Sequence, residues 1–139
     1  MPLDMELTGS ILRVTLSGTL TNADLRDGAR EVDKLERSLP NVPNRLTDTR
    51  PVTRLEIDFQ GVLDLANARL RLHFPNAFKS AIIAADVAHY GFARMFQTLN
   101  DHPKIRIAIF PDEAEALAWL AEPGLHMPAR RASPRATEH

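Results

Sequence analysis

The segment FKSAIIAA, residues 78–85, indicates the fold class of this chain more clearly than any other. Six of its eight residues are apolar, and polar and apolar positions do not alternate. A run of this length is expected of a strand in a parallel sheet with helices on both faces, because neither face then meets water. The segment therefore predicts a layered α/β fold, and the flanking patterns supply the order of the elements.

Two strands and one helix are predicted before residue 41. Residues 3–7 and 12–16 each alternate between apolar and polar side chains across a short glycine turn, which is typical of a β-hairpin. Thr21 and Asp24 have the spacing of a capping box, and apolar residues then recur at helical intervals until Pro40. The first part of the chain is therefore expected to be β-β-α.

Strands and helices are predicted to alternate over the rest of the domain. An aspartate that can cap free backbone amides precedes each predicted helix, at Asp58, Asp86 and Asp112. The strands between these helices are predicted at residues 45–49, 78–85 and 105–109. The order β-β-α-β-α-β-α-β-α gives a mixed five-stranded sheet, with an antiparallel opening hairpin and parallel later strands.

One domain is expected, in residues 1–122, because 139 residues are enough to bury a single core. Residues 123–139 contain three prolines and three arginines with little apolar content, and are predicted to be a flexible C-terminal tail.

Composition argues against several function classes. The net charge is −1, so no field recruits nucleic acid or an anionic membrane. The chain has no cysteine, which removes disulfides, thiol catalysis and thiolate metal sites. The first twenty residues lack the continuous apolar core of a signal peptide, and a cytoplasmic location is expected.

The chain resembles the SpoIIAA-like branch of the STAS superfamily, which is named for sulfate transporters and anti-sigma-factor antagonists. The resemblance covers roughly residues 3–121 and depends on the element order, on LTDTR at 46–50, and on FKSAIIAA leading into residues 105–120, which end in EALAWL. It implies a STAS-like domain that binds or regulates without catalysis and without a cofactor. Fold similarity alone specifies shape better than activity.

The turn after the third predicted strand is one candidate site. In the anti-sigma-factor antagonists a phosphorylatable serine lies in this turn, at the start of the next helix, where free amides can hold a phosphate. The resemblance therefore implies partner binding at Asp48, Thr49 and Arg50. Here the turn has no serine pair and no following glycine, and about eight residues separate it from Phe59. The simpler interpretation is therefore that Asp48 accepts local backbone hydrogen bonds at the end of a strand.

An aromatic stripe on the second and third predicted helices is the other candidate. The inward positions are predicted to be Phe59, Val62, Leu63, Ala66 and Leu70 on the second helix, and Phe92, Met95, Phe96 and Leu99 on the third. The simplest interpretation is core packing. The alternative is that the two helices part to admit an apolar ligand, with Tyr90 and Arg94 holding a polar head group. The proposed ligand-binding residues are Phe59, Leu63, Tyr90, Phe92, Arg94, Met95 and Phe96.

No pattern supports catalysis or metal binding. The five histidines include no pair at i, i+4, and the six glycines are all isolated, so neither a zinc motif nor a phosphate loop is present. Carboxylates that folding brings together remain an open route to an enzyme.

Two functions are therefore expected. The first is a non-enzymatic module that holds a small apolar or amphipathic ligand between the second and third helices. The alternative is a protein-interaction regulator of the anti-sigma-factor-antagonist type, without the usual phosphoserine and with a regulatory protein as partner. A homodimer and transient membrane contact near Phe74 and Phe78 are further expectations.

Overall fold

The computed structural model of the chain describes residues 2–124. Within them the elements are β1 (Leu3–Thr8), β2 (Ile11–Leu16), β3 (Gly18–Thr21), α1 (Asn22–Arg37), β4 (Asn44–Asp48), β5 (Val52–Glu56), α2 (Phe59–Leu70), β6 (Phe78–Ile83), α3 (Val87–Leu99), β7 (Ile105–Phe110) and α4 (Glu113–Ala121). The predicted tail lies almost wholly outside the described residues.

The main sheet has five strands in the order β1-β2-β4-β6-β7. β1 and β2 pair antiparallel, and β2, β4, β6 and β7 pair parallel to one another. The predicted α/β fold with a mixed five-stranded sheet is confirmed.

Two short strands were absent from the predicted element order. β3 and β5 pair in parallel and form a separate two-stranded sheet, with a register shift between Gly18 and Thr19. Each has only four or five residues, so neither shows enough alternation to be distinguished from a helix cap or a loop.

Alternation along the strands divides the core into two layers. Ala81 and Ile83 of β6 face α4 and pack with Trp119, whereas Phe78 and Ile82 face the opposite side. α1, α2 and α3 all lie on that second side, where their residues share one cavity wall with the sheet. β6 is buried along its whole length, as its sequence predicts.

The predicted helix caps are confirmed. The Thr21 hydroxyl accepts from Asp24 N at 3.1 Å, and the Asp24 carboxylate accepts from Thr21 N at 2.9 Å. Asp58, Asp86 and Asp112 cap α2, α3 and α4 through the backbone amides three residues on. No helix among residues 2–124 is long and apolar enough to cross a bilayer.

The predicted inner face of α2 was partly wrong. Phe59 is 56% exposed and Leu70 is 40% exposed, whereas Gly61, Val62, Ala66 and Arg69 are the buried residues. The helix therefore packs through a stripe that includes a charged side chain and leaves its first aromatic residue in solvent.

Candidate functional site

A small apolar cavity lies where α1, α2 and α3 meet the sheet. Its volume is about 100 Å³, and Phe92 and Phe96 of α3 line it opposite Leu65 of α2. Val14 and Ile82 form part of its floor on the sheet. The Asp86 cap and the burial of Ala93 fix α3 against the sheet and so place both phenylalanines at the cavity.

The other proposed ligand-binding residues lie outside this cavity. Tyr90 packs against the core near Ile107 and Ile109, and Leu63 and Met95 are half-buried. Phe59 is exposed at the start of α2. Arg94 is also exposed and donates to Gln97 Oε1 at 2.6 Å. The structure thus brings Phe92 and Phe96 together, and it does not join Arg94 to them.

Three buried charged residues lie beside the cavity, and the sequence pattern did not predict that they form a buried cluster. Glu36, Arg45 and Arg69 are 4%, 8% and 4% exposed. Arg45 Nη2 donates to Glu36 Oε2, while Arg69 Nη2 lies 3.8 Å from Glu36 Oε1, beyond hydrogen-bonding distance. Arg45 and Arg69 both line the apolar cavity. The cluster carries one positive charge more than its single carboxylate can balance.

A sequence signal for this cluster exists. Glu36 follows Val32 by four residues on the buried face of α1, and Arg69 follows Ala66 by three on the buried face of α2. A charged residue at a core position of an amphipathic helix requires a partner. The partner cannot be identified from spacing along one element, because Arg45 comes from β4.

Aromatic rings and burial complete the environment of the two arginines. The Arg45 guanidinium lies 5.4 Å from the Phe78 ring centroid, and that of Arg69 lies 5.5 Å from the Phe74 centroid. Burial, together with the positive charge of Arg45, lowers the pKa of Arg69 to about 9. Arg69 is therefore still charged at pH 7, in surroundings that disfavour the charge.

A larger cleft of about 540 Å³ lies between α1 and α2. The small apolar cavity described above, where α1, α2 and α3 meet the sheet, is called the inner cavity below. Three residues line both this cleft and the inner cavity, namely Ala29, Leu65 and Arg69. The cleft is therefore adjacent to the inner cavity. Asn22 and Asp58 both line the cleft, and Asn22 Nδ2 donates to Asp58 Oδ1 at 3.1 Å.

The proposed partner-binding turn forms an ion-pair network at the carboxyl end of β4. Arg50 donates from Nε and Nη2 to the two oxygens of Asp48, both at 2.9 Å. Arg13 of β2 donates to both oxygens of Glu113, at 2.9 and 3.2 Å, and to Asp48 at 3.3 Å. Arg50 also reaches Glu113 at 3.0 Å. Four side chains from three parts of the chain are thus held together.

Thr49 is directed into the protein. It is 2% exposed, and its hydroxyl donates to the Ile83 carbonyl at 2.7 Å. Asp48 Oδ1 accepts from Arg50 N at 3.0 Å, which confirms the expected local backbone hydrogen bond. β5 occupies the stretch between this turn and α2, so the turn is not at a helix start.

The ion pairs shift the carboxyl groups toward the charged form. The hydrogen bond from Arg13 is the main cause of a lowered pKa at Glu113. Burial opposes ionisation of Asp48, but the hydrogen bonds and charge of Arg50 outweigh it and lower the pKa of Asp48. Both carboxylates are therefore ionised at pH 7, and the network contains two charges of each sign.

No known family profile and no curated protein matches the chain. A solved structure does match: an uncharacterized protein of the DUF3478 family from Shewanella loihica PV-4, described as having a SpoIIAA-like fold. The similarity covers 86% of this chain and 92% of that chain, with a TM-score of 0.53 and 20% sequence identity.

The chain has a SpoIIAA-like fold. The resemblance seen in the sequence is thus confirmed at the level of the fold, and identity this low carries no further. In this SpoIIAA-like chain the turn after β4 presents Arg50 at the surface, with its side chain 41% exposed, rather than the hydroxyl of Thr49.

Proposed function

We propose that this SpoIIAA-like protein is a non-enzymatic binding module that holds a small apolar or amphipathic ligand where α2 and α3 meet. The observation that supports the proposal is the cavity lined by Phe92, Phe96 and Leu65, which is nearly all apolar. A concave and largely apolar surface that is partly open to solvent is the usual place where proteins bind small apolar ligands.

The size of the cavity defines how a ligand enters. About 100 Å³ is smaller than the 300–1,000 Å³ of most small-molecule sites, so a larger ligand requires α2 and α3 to separate. Phe92 and Phe96 are only half-buried, and Gly91 has nothing within 4 Å of the place where its Cβ would lie. Among residues 2–124, this side of α3 is therefore not covered at Gly91.

The absence of catalysis is part of the same proposal. Among residues 2–124, no three histidine, aspartate or glutamate side chains form a group able to hold a metal ion. In that same span the ring of His102 bonds backbone groups, namely the Leu72 carbonyl and the Lys104 amide, and no hydroxyl. A binding role requires none of the activated groups that a hydrolase needs.

A series of straight-chain alcohols, from butanol to dodecanol, tests the proposal by isothermal titration calorimetry. If the helices part, each added methylene that is buried strengthens binding by about 0.8 kcal/mol, so affinity rises with length. Affinity that is undetectable for every alcohol, or that stops rising after the shortest chains, would contradict uptake between α2 and α3.

Matched tryptophan substitutions locate the site. Phe96→Trp adds volume inside the cavity and is expected to abolish binding of the longer alcohols, because a filled cavity leaves no room. Phe59→Trp makes the same chemical change at a residue 56% exposed, and is expected to leave binding unchanged. Thermal unfolding of both variants checks that each is folded.

A regulator of the anti-sigma-factor-antagonist type is the second candidate, favoured by the exposed part of the ion-pair network. Arg50 and Glu113 have side chains 41% and 36% exposed at one edge of the sheet, where a partner protein can exchange ion pairs with them. Arg50→Glu is expected to abolish capture of such a partner, whereas Arg54→Glu, at another exposed arginine, is not. Capture that survives Arg50→Glu would exclude this surface.

A further inference from the structure

The α1–α2 cleft contains a feature that an apolar binding module does not require. Arg69 lines the cleft, is 4% exposed, and has an Nη2 group that is buried without a hydrogen bond. A buried guanidinium is normally bonded to carboxylates or carbonyl oxygens, because an unmatched charge in the interior is costly.

Among residues 2–124, no carboxylate forms a hydrogen bond with Arg69 Nη2. Glu36 Oε2 accepts from Arg45, and Glu36 Oε1, at 3.8 Å from Arg69 Nη2, is itself buried without a hydrogen bond. Asp33 lines the cleft but forms an ion pair at 2.6 Å with Arg37, and Asp58 accepts from Gly61 N in the cap of α2. Asp64, the third carboxylate of the cleft, accepts from Gln60 at 2.7 Å.

The rest of the cleft lining includes two weakly paired arginines and, next to Arg69, several apolar residues. Arg26 and Arg30 line the rim and approach Asp27 at 3.8 and 3.6 Å, in pairs that are exposed and therefore weak. The walls next to Arg69 are apolar, formed by Ala29, Leu65, Ala68 and Leu72. The cleft thus combines a buried guanidinium, whose Nη2 lacks a hydrogen bond, with an apolar patch beside it and charged residues of both signs around it.

We propose that Arg69 binds the oxyanion group of a small organic anion, a carboxylate or a phosphate monoester, whose apolar part lies in the α1–α2 cleft. An oxyanion there supplies the second negative charge that the Glu36–Arg45–Arg69 cluster lacks. It also accepts charge-assisted hydrogen bonds from the guanidinium, which are the strongest that a neutral-pH site offers. The cleft is distinct from the inner cavity, although Ala29, Leu65 and Arg69 line both.

Benzoate, phenyl phosphate and benzamide test the proposal, because they place a carboxylate, a phosphate or a neutral amide on the same ring. Calorimetry on the full chain is expected to show that benzoate or phenyl phosphate binds at least about tenfold more tightly than benzamide, the margin of one charge-assisted hydrogen bond. Whichever of the two anions binds more tightly identifies the class of the head group. Equal binding of all three compounds, or binding of none, would overturn the proposal.

Variants assign the effect to Arg69. Arg69→Met retains an apolar stem and is expected to remove the preference for the anion, while Arg69→Lys retains the charge without the planar fork and keeps part of it. Arg54→Met makes the same change in net charge on β5, at an arginine that does not line the cleft, and is expected to bind as the wild type does. If Arg69→Met binds the preferred anion with wild-type affinity, the assignment is wrong.

Two further measurements separate this site from the proposed function. Phe96→Trp is expected to leave binding of the preferred anion unchanged, because the phenylalanine lines only the inner cavity. Amide chemical shifts are expected to move on the facing sides of α1 and α2 when that anion is added. Shifts confined to α3 would place the anion in the other cavity and overturn the assignment to Arg69.

Discussion

The carboxylate of Glu36 lies between two buried guanidinium groups, and the stability of the surrounding layer depends on it. Glu36→Gln leaves Arg45 and Arg69 buried without the carboxylate that both approach. Breaking a buried ion pair in this way costs about 3–5 kcal/mol, so the free energy of unfolding in urea is expected to fall by that amount. Glu31→Gln, at an exposed position of the same helix, is expected to change it by less than about 0.5 kcal/mol. Equal effects of the two substitutions would contradict this role.

Arg69 is expected to lower the free energy of unfolding, whereas Glu36 raises it. Burial and the charge of Arg45 lower its pKa to about 9, so the charged form is less favourable in the folded protein than in the unfolded chain. The folded state is therefore penalised while Arg69 is protonated, and the penalty declines as the pH rises through 9. Arg69→Met is expected to raise the free energy of unfolding by at least about 1 kcal/mol at pH 7, and this gain is expected to shrink above pH 9.

Urea unfolding of the wild type and of Arg69→Met at pH 7, 8, 9 and 10 measures this difference directly. A gain that is constant across the series, or a loss at pH 7, would show that the buried charge of Arg69 does not penalise the folded state. Residues that lower stability are often found where a protein binds its ligand, because binding requires them. A destabilising Arg69 is expected if it has such a role. The stability measurement and the anion-binding measurement therefore test the same property, the buried charge of Arg69, by independent methods.

Gly61 of α2 and Gly91 of α3 have different surroundings, so replacement by alanine is expected to affect stability differently at the two positions. A Cβ at Gly61 would overlap the side-chain amide of Asn22, which bonds Asp58 and joins the start of α1 to the start of α2. A Cβ at Gly91 would meet nothing within 4 Å. Alanine is favoured over glycine inside a helix by about 1 kcal/mol, so Gly91→Ala is expected to be stabilising by that amount.

Gly61→Ala is expected to lose this gain, because the new methyl group displaces Asn22 and breaks its hydrogen bonds to Asp58. In an Asn22→Ala background the obstacle is absent, and Gly61→Ala is expected to be stabilising by about 1 kcal/mol. A double-mutant cycle on thermal or urea unfolding measures the coupling. A Gly61→Ala effect that is the same in both backgrounds would show that the α1–α2 junction does not depend on Asn22.

Elements that follow local rules were predictable from the sequence, and those that follow long-range contacts were not. The aspartate caps and the strand predicted at residues 78–85 depend on neighbouring residues. The caps lie where the pattern places them, and the strand is Phe78–Ile83, two residues shorter than predicted. β3 and β5 form strands because they pair with each other, although α1 and β4 lie between them in the sequence. The sequence of either strand alone does not indicate this pairing. The orientation of α2 likewise depends on another element, because Glu36 of α1 attracts the buried Arg69 while Phe59 is left exposed.

The candidate sites show the same division. Phe92 and Phe96 were expected to face inward as part of an apolar stripe, and they line the inner cavity. The α1–α2 cleft was not expected, because it depends on the spacing between two helices. Helix spacing depends on the side chains at the contact, and a single sequence does not reveal which side chains those are.

At the scale of the whole molecule, the network of Arg13, Asp48, Arg50 and Glu113 joins β2, the turn after β4 and the start of α4. Within residues 2–124, it lies on the face of the sheet that α4 covers, opposite the layer that contains both cavities. The two proposed ligand sites therefore share one layer, and the proposed partner surface occupies the other. Ligand binding and partner docking can then take place on the same molecule without competing for space.

This network makes stability depend on acid pH. Ion pairs lower the pKa values of Asp48 and Glu113 in the folded protein, so these groups stabilise it above their unfolded pKa values, near 4. That contribution is lost as the pH falls through the lowered folded values, and the urea midpoint of the wild type is expected to decrease between pH 5 and pH 2. Glu113→Gln is expected to lower the midpoint at pH 7 and to reduce the decrease. Glu115→Gln, two residues along α4 and without an ion pair among residues 2–124, is expected to retain the wild-type profile. Identical profiles for Glu113→Gln and the wild type would show that the network does not hold α4 to the sheet.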